Sequence, residues 1–154
     1  MSGYIHGYDI GTKMGWGVLD SDGERVDSGV WDLSPAHHQS HSWRYVMLAR
    51  HVRGLLKKYP PQAAFFELVE AHKGTYAAQM HGSYRGQLLS QMLHEGVNFS
   101  GVTVANVKRA ATGKGRATKA QMVAAALEQW AHGCATDDEA DALFTALAGL
   151  RGQL

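Results

Sequence analysis

Asp138 and Asp141 stand three residues apart in the run Asp137-Asp138-Glu139-Ala140-Asp141-Ala142-Leu143. On a helix that spacing brings both carboxylates to one face. Ala142, Leu143, Ala146 and Leu147 continue the apolar pattern to Leu150, which makes the shared face the inner one. Carboxylates facing inward repel each other and lose hydration, and a divalent cation is the simplest relief. A solvated acidic first turn, favoured by the helix dipole, is the alternative for these two residues taken alone. Two acids far away in sequence add to them. Asp9 closes the short apolar run Tyr4-Ile5-His6-Gly7-Tyr8, and Ala63-Ala64-Phe65-Phe66-Glu67-Leu68-Val69-Glu70 offers Glu67 or Glu70 as its inward acid. Three regions therefore each deliver a carboxylate from the end of an apolar element.

The elements that must position these acids follow from periodicity. Alternation and turn residues predict strands over residues 4–9, 15–20 and 25–33, with Ser21-Asp22-Gly23 as the second turn. Gly11, Gly15 and Gly17 mark a hairpin whose backbone must pass close to something. Residues 34–41 form a loop, followed by a helix over 42–58 with Tyr45, Leu48, Ala49, Val52, Leu55 and Leu56 on one stripe. Pro60-Pro61 ends it. A fourth strand covers 63–68, and a second helix over 75–95 carries Tyr76, Met80, Tyr84, Leu88 and Met92. A fifth strand covers 99–105, then come a short basic turn from Asn106 and helices over 118–131 and 137–151. Two apolar stripes on the second helix suit a core contact and a homodimer.

A chain of 154 residues is expected to be one domain, 1–154, long enough to bury a core. The formal net charge of +1 means that any nucleic-acid surface must come from segregated charge. Such segregation exists between residues 107 and 121, where Lys108, Arg109, Lys114, Arg116 and Lys119 surround Gly113 and Gly115. Glycines let backbone amides approach phosphates, and the bases neutralise them. Lys73 and Arg85 extend the track, whereas Lys57 and Lys58 end a helix where cations suit the dipole. Cys134 is the single cysteine, which excludes an internal disulfide and suits a reducing cytoplasm. No apolar run reaches membrane-spanning length and Met1-Ser2-Gly3-Tyr4 lacks signal-peptide character, so the expected location is cytoplasmic. His37-His38-Gln39-Ser40-His41 has no cysteines at zinc spacing and is taken as a polar loop.

Taken in order, these motifs resemble the RuvC-type Holliday-junction resolvases of the RNase H-like nuclease superfamily. The resemblance runs from the Asp-x-Gly hairpin at Gly7–Gly17, through Phe65-Phe66-Glu67 and the basic Val107–Gln121 segment, to Asp138-Glu139-Ala140-Asp141-Ala142-Leu143. The hairpin alone is shared with sugar kinases, actin-like ATPases and YqgF/RuvX nucleases; the basic segment followed by Asp-x-x-Asp-Ala-Leu is far more specific. The resemblance implies an α/β RNase H-like fold with a central five-stranded mixed sheet, strands one to three antiparallel, four and five parallel, flanked by helices.

It also implies cleavage of four-way DNA junctions by a homodimer, and leaves open whether forks and other branched DNA are cut as well. Four clustered carboxylates imply two-metal phosphodiester hydrolysis, with the ions ~4 Å apart. An all-oxygen ligand set favours Mg²⁺, with Mn²⁺ as a substitute. By resemblance, Asp9 bridges both metals and Glu67, Asp138 and Asp141 complete the shells, while Lys108 and Lys119 lie beside the scissile group. Asp137 and Glu139 rank below them on family spacing. Where the family carries a junction-wedging aromatic after the fourth strand, this chain has Glu70, and Tyr76 or His72 is left to stack. That difference fits a phage or divergent relative with relaxed sequence preference. A YqgF/RuvX-like nuclease for ribosomal RNA precursors accounts less well for Gly113–Lys119. A catalytically silent junction-binding protein is disfavoured by the complete acidic quartet.

Overall fold

Strict alternation along the first strand sorts the whole molecule into two faces. In the computed structural model, which describes residues 3–154, β1 spans Tyr4–Asp9. The reading at Met1 and Ser2 lies outside the described residues. β1 pairs antiparallel with β2 (Lys13–Leu19), which pairs antiparallel with β3 (Arg25–Asp32). On its other edge β1 pairs in parallel with β4 (Pro61–Leu68), and β4 in parallel with β5 (Phe99–Thr103). The order β3-β2-β1-β4-β5 gives the five-stranded mixed sheet expected of the RNase H-like fold. Because β1, β3, β4 and β5 run in one direction, their C-terminal ends gather on one edge of the sheet, and Asp9 and Glu67 stand there.

Helices α1 (Trp43–Lys58) and α2 (Gly74–His94) cover one face. Their stripes, Leu48, Val52, Leu55 and Leu56 with Tyr84, Leu88 and Met92, bury Tyr8, Met14, Val18 and Phe66 of the sheet. The opposite face receives α3 (Val104–Thr112), α4 (Lys119–Gln129) and α5 (Asp137–Leu150). There Ile5, Leu19 and Val102 meet Val107, Met122, Leu143, Phe144 and Leu147. The hairpin glycines explain how tightly α5 seats. A Cβ at Gly15 would collide with the Asp138 carbonyl, one at Gly7 with the Ala142 carbonyl, and one at Gly17 with the Leu143 side chain. The close partner expected of that hairpin is α5 itself.

Several boundaries differ from the periodic expectation. β5 ends at Thr103, not 105, because Thr103 turns to cap a helix, its hydroxyl accepting from the Asn106 amide at 3.3 Å. The expected basic turn is therefore the nine-residue helix α3, closed by Gly113 at φ 79° in the left-handed region. β2 begins at Lys13 rather than 15, held to Asp32 of β3 by a 2.8 Å ion pair. On α2 the stripe does not hold to its start. Tyr76 is 63% exposed, since the first turns of α2 are poorly covered and only Tyr84, Leu88 and Met92 are buried. Among the described residues no helix is long and apolar enough to cross a membrane.

Candidate active site

Period two in the strands aims Asp9 and Glu67 at the α5 face, alongside Ile5 and Gly7 of β1. Helical phase supplies the other side. Thr136 caps α5 by accepting from the Glu139 amide at 3.2 Å, which fixes the helix start and thereby the direction of Asp138 and Asp141. Since Gly15 lies against the Asp138 backbone, the first turn of α5 is pressed onto the hairpin. The outcome is a cluster in which one carboxylate oxygen each from Asp9, Glu67 and Asp141 lie within 4.8 Å of one another. Asp138, one turn earlier, also acts on the Asp9 carboxyl, although it is not among the three acids whose oxygens lie within 4.8 Å of one another.

Electrostatics shows how uncomfortable this arrangement is without a cation. Burial, followed by the charges of Glu67 and Asp141 and the contact with Asp138, holds the Asp9 carboxyl well above the usual carboxylate range. Burial and then the Glu67 and Asp137 charges push Asp141 up to about 7, against the opposing pull of Lys108. Burial also raises Glu67, and Lys108 again opposes it. Glu67 Oε2 and Asp141 Oδ1 are buried without a hydrogen-bond partner. Unpartnered buried oxygens in a like-charged cluster are the donor set of a hard divalent cation. Among the described residues this is the only such three-residue group of acids, histidines and cysteines.

The neighbouring acids have other attachments. Glu70 is exposed while Glu67 is 8% exposed, so Glu67 is the inward acid of its segment. Glu139 accepts from the Ser28 hydroxyl on β3 at 3.0 Å. Asp137 faces Lys119, Nζ to Oδ2 at 3.7 Å. Lys108 is half-buried, donates to the Ala117 carbonyl at 3.3 Å, and acts electrostatically on both Glu67 and Asp141. Lys119 pairs with Asp137, whose charge acts on Asp141, and its side chain is 87% exposed at the start of α4. Arg109, Lys114 and Arg116 are exposed around the α3–α4 turn. Thr112 braces that turn, its hydroxyl donating to the Lys108 carbonyl at 2.9 Å.

Lys73 and Tyr76 are exposed at the start of α2, and the Arg85 guanidinium lies 4.7 Å from the Phe66 ring centroid. His72 packs on His81, ring centroids 4.5 Å apart, which leaves Tyr76 as the free aromatic near the loop after β4. Sequence periodicity passed over Thr12 and Arg44 and gave Tyr84 only a place in a helix stripe; the three form a hydrogen-bonded chain. The available signal was Arg44 itself, a cation next to the first stripe residue of an otherwise apolar helix face.

The sequence model of the family described as "Crossover junction endodeoxyribonuclease RuvC" matches residues 5–149. The chain belongs to the RuvC family. A RuvC of Roseiflexus sp. (strain RS-1) is 35% identical over 120 residues, covering 75% of this chain and 70% of that relative. The RuvC of Dichelobacter nodosus is 30% identical over 150 residues, covering 93% and 82%. Both are named crossover junction endodeoxyribonucleases. Among solved structures, T. thermophilus RuvC in complex with Holliday junction substrate superposes with a TM-score of 0.83 at 20% identity, covering 97% of this chain and 94% of that one. The yeast mitochondrial Holliday junction resolvase Ydc2 gives 0.68 at 13% identity, covering 96% and 78%. These likenesses at low identity confirm the RuvC fold.

Proposed function

We propose that this RuvC-family chain is a Mg²⁺-dependent endonuclease, a single nuclease unit that cleaves four-way DNA junctions. The observation that carries the chemistry is the buried group Asp9, Glu67 and Asp141, with oxygens left unpartnered and within 4.8 Å of each other. Those three and Asp138 hold the metal ions. Bound divalent ions supply charge compensation and a water acidic enough to attack a phosphodiester near neutral pH. Burial of Glu67 restricts competing water, and Asp138, near enough to raise the Asp9 carboxyl, is the fourth carboxylate in reach.

Lys108 balances the negative cluster and stabilises charge developing on the scissile phosphate. Lys114 and Arg116 are exposed and follow the backbone of a DNA arm, joined by Lys119 and Arg109 as they leave Asp137 and Asn106, with Lys73 and Arg85 on the α2 side. Tyr76, exposed at the head of α2, stacks on bases at the branch point in place of the aromatic that Glu70 displaces. Two such sites suit a two-fold junction, and the exposed Leu89 and Leu93 of α2 offer a surface for a homodimer. The location that fits is the cytoplasm.

The decisive experiment incubates the protein with end-labelled four-way junctions, forks, linear duplex and structured RNA, with and without Mg²⁺. Paired, Mg²⁺-dependent cuts in the junction are expected, with linear duplex intact. Preferential cutting of RNA would overturn the reading in favour of a ribosomal-RNA nuclease, and binding without cutting in favour of a silent junction binder.

A further inference from the structure

Arg44 is a buried cation without an anion. Its residue is 5% exposed, and among the described residues it makes no ion pair. Instead Nε donates to the His41 carbonyl at 2.9 Å, Nη2 contacts His41 Nδ1 at 3.2 Å, and Nη1 reaches Tyr84 Oη at 3.2 Å and Met80 Sδ at 3.7 Å. Burying a guanidinium among neutral groups is costly, and an apolar side chain of similar volume commonly serves stability as well or better. The arrangement therefore calls for a reason other than stability.

Its far end supplies one. A guanidinium only donates, so Tyr84 Oη accepts from Arg44 and keeps its own proton for Thr12 Oγ1, 3.1 Å away. Tyr84 is 1% exposed, so no water competes at that hydroxyl. The Thr12 carbonyl accepts from the Leu33 amide at 2.8 Å, which fastens the same residue from the β3 side. Thr12 closes the turn Asp9-Ile10-Gly11-Thr12 that leaves β1. That turn must hold Asp9 among Glu67, Asp138 and Asp141, all of which repel it when ionised.

We propose that Arg44 and Tyr84 are positioning residues that lock the turn after Asp9 through Thr12, so setting the geometry in which the carboxylate cluster holds its metal ions. This rests on the metal-holding reading of that cluster. The hydrogen-bonded chain runs from α1 through α2 to the turn after β1, so the face of the sheet opposite α5 also contributes to the site.

Mn²⁺ binding, followed through the EPR signal of free Mn²⁺ without DNA, is the test. Tyr84→Phe and Thr12→Val are each expected to weaken Mn²⁺ binding by about tenfold, the scale seen when a ligand's outer support is lost. Because both remove the Tyr84–Thr12 bond, the double variant is expected to bind no more weakly than Tyr84→Phe alone. Thr12→Ser, which keeps the hydroxyl, is expected to restore wild-type binding. Tyr45→Phe, which removes a hydroxyl that reaches only Met80 Sδ at 3.8 Å, is expected to change nothing. Wild-type binding by Tyr84→Phe, or equal weakening by Thr12→Ser and Thr12→Val, would overturn the proposal. Should Tyr84→Phe not fold, the two Thr12 variants decide from the other end of the bond. A wild-type protein that binds no Mn²⁺ would overturn the metal-holding reading first, and the network's role with it.

Discussion

His6 and Asp9 lie three residues apart on β1 and face opposite sides of the sheet. On the α1–α2 side, His6 is fully buried and fully satisfied. Nε2 donates to the Tyr59 carbonyl at 2.8 Å, which leaves Nδ1 to accept from Tyr8 Oη at 3.0 Å. Burial lowers its pKa to about 4, with the Tyr59 carbonyl opposing, so the ring is neutral at physiological pH. On the α5 side, Asp9 meets three further carboxylates, and buried oxygens of two of them have no partner. One strand thus carries a closed polar network and an open one. The closed network has donors and acceptors in balance and needs nothing more. The open one has acceptors only, and its missing partner must come from outside the chain.

Breaking the open network is expected to have the largest effect. Asp9→Asn should lower single-turnover junction cleavage in Mg²⁺ by about 10³-fold, with Glu67→Gln and Asp141→Asn also orders of magnitude slower. Folding of Asp9→Asn in EDTA should be unimpaired, since a repelling charge is lost. Near-normal cutting by Asp9→Asn would dissolve the contrast between the two networks. The closed network should break the other way. His6→Ala leaves the Tyr8 hydroxyl and Tyr59 carbonyl unpaired and should cost about 3 kcal/mol in urea denaturation. Its cleavage rate per folded molecule should stay at the wild-type value.

pH separates the two regions by sign. The folded Asp141 carboxyl titrates at about 7, above its ordinary 3.8, so its stabilising effect is full below about pH 4 and is lost as pH rises to about 7. His6, lowered from 6.5 to about 4, works oppositely: its effect is full above about pH 6.5 and is lost as pH falls through 4. Thermal melts in EDTA should therefore show wild type losing stability relative to Asp141→Asn between about pH 4 and 7. Saturating Mg²⁺ should reverse that slope, because the ion binds the ionised acids. An identical pH dependence for both proteins in EDTA would leave Asp141 outside the strained cluster.

Smaller effects should mark the border of the open network. Lys119→Ala should reduce the log–log salt slope of junction binding by about one unit if the lysine leaves Asp137 for a phosphate. Lys108→Ala should slow single-turnover cleavage more than it weakens affinity. Glu139→Gln should change cleavage by less than about twofold, since its carboxylate is occupied by Ser28. A dead Glu139→Gln with an active Asp141→Asn would mean that the α5 register differs.

Local periodicity determined much of this. Three-residue spacing put Asp138 and Asp141 on one helix face, alternation placed Asp9 at a strand end, and hairpin glycines announced a close approach. The partner of that approach was not legible, because pairing between Gly15 and Asp138 depends on strand order and helix seating across more than a hundred residues. Periodicity alone also left Glu67 and Glu70 open; the family resemblance favoured Glu67, and the register against β1 and β5 turns it inward. Thr103 concealed α3 because a cap and a strand residue look alike in an apolar run. The Arg44–Tyr84–Thr12 chain left almost no trace, being one bond each from three distant segments. The sequence by itself determined which groups repeat with helix or strand period, since that depends only on near neighbours. The tertiary structure decided which of those groups share one small buried volume, and there the balance of donors and acceptors separates a core network from a site.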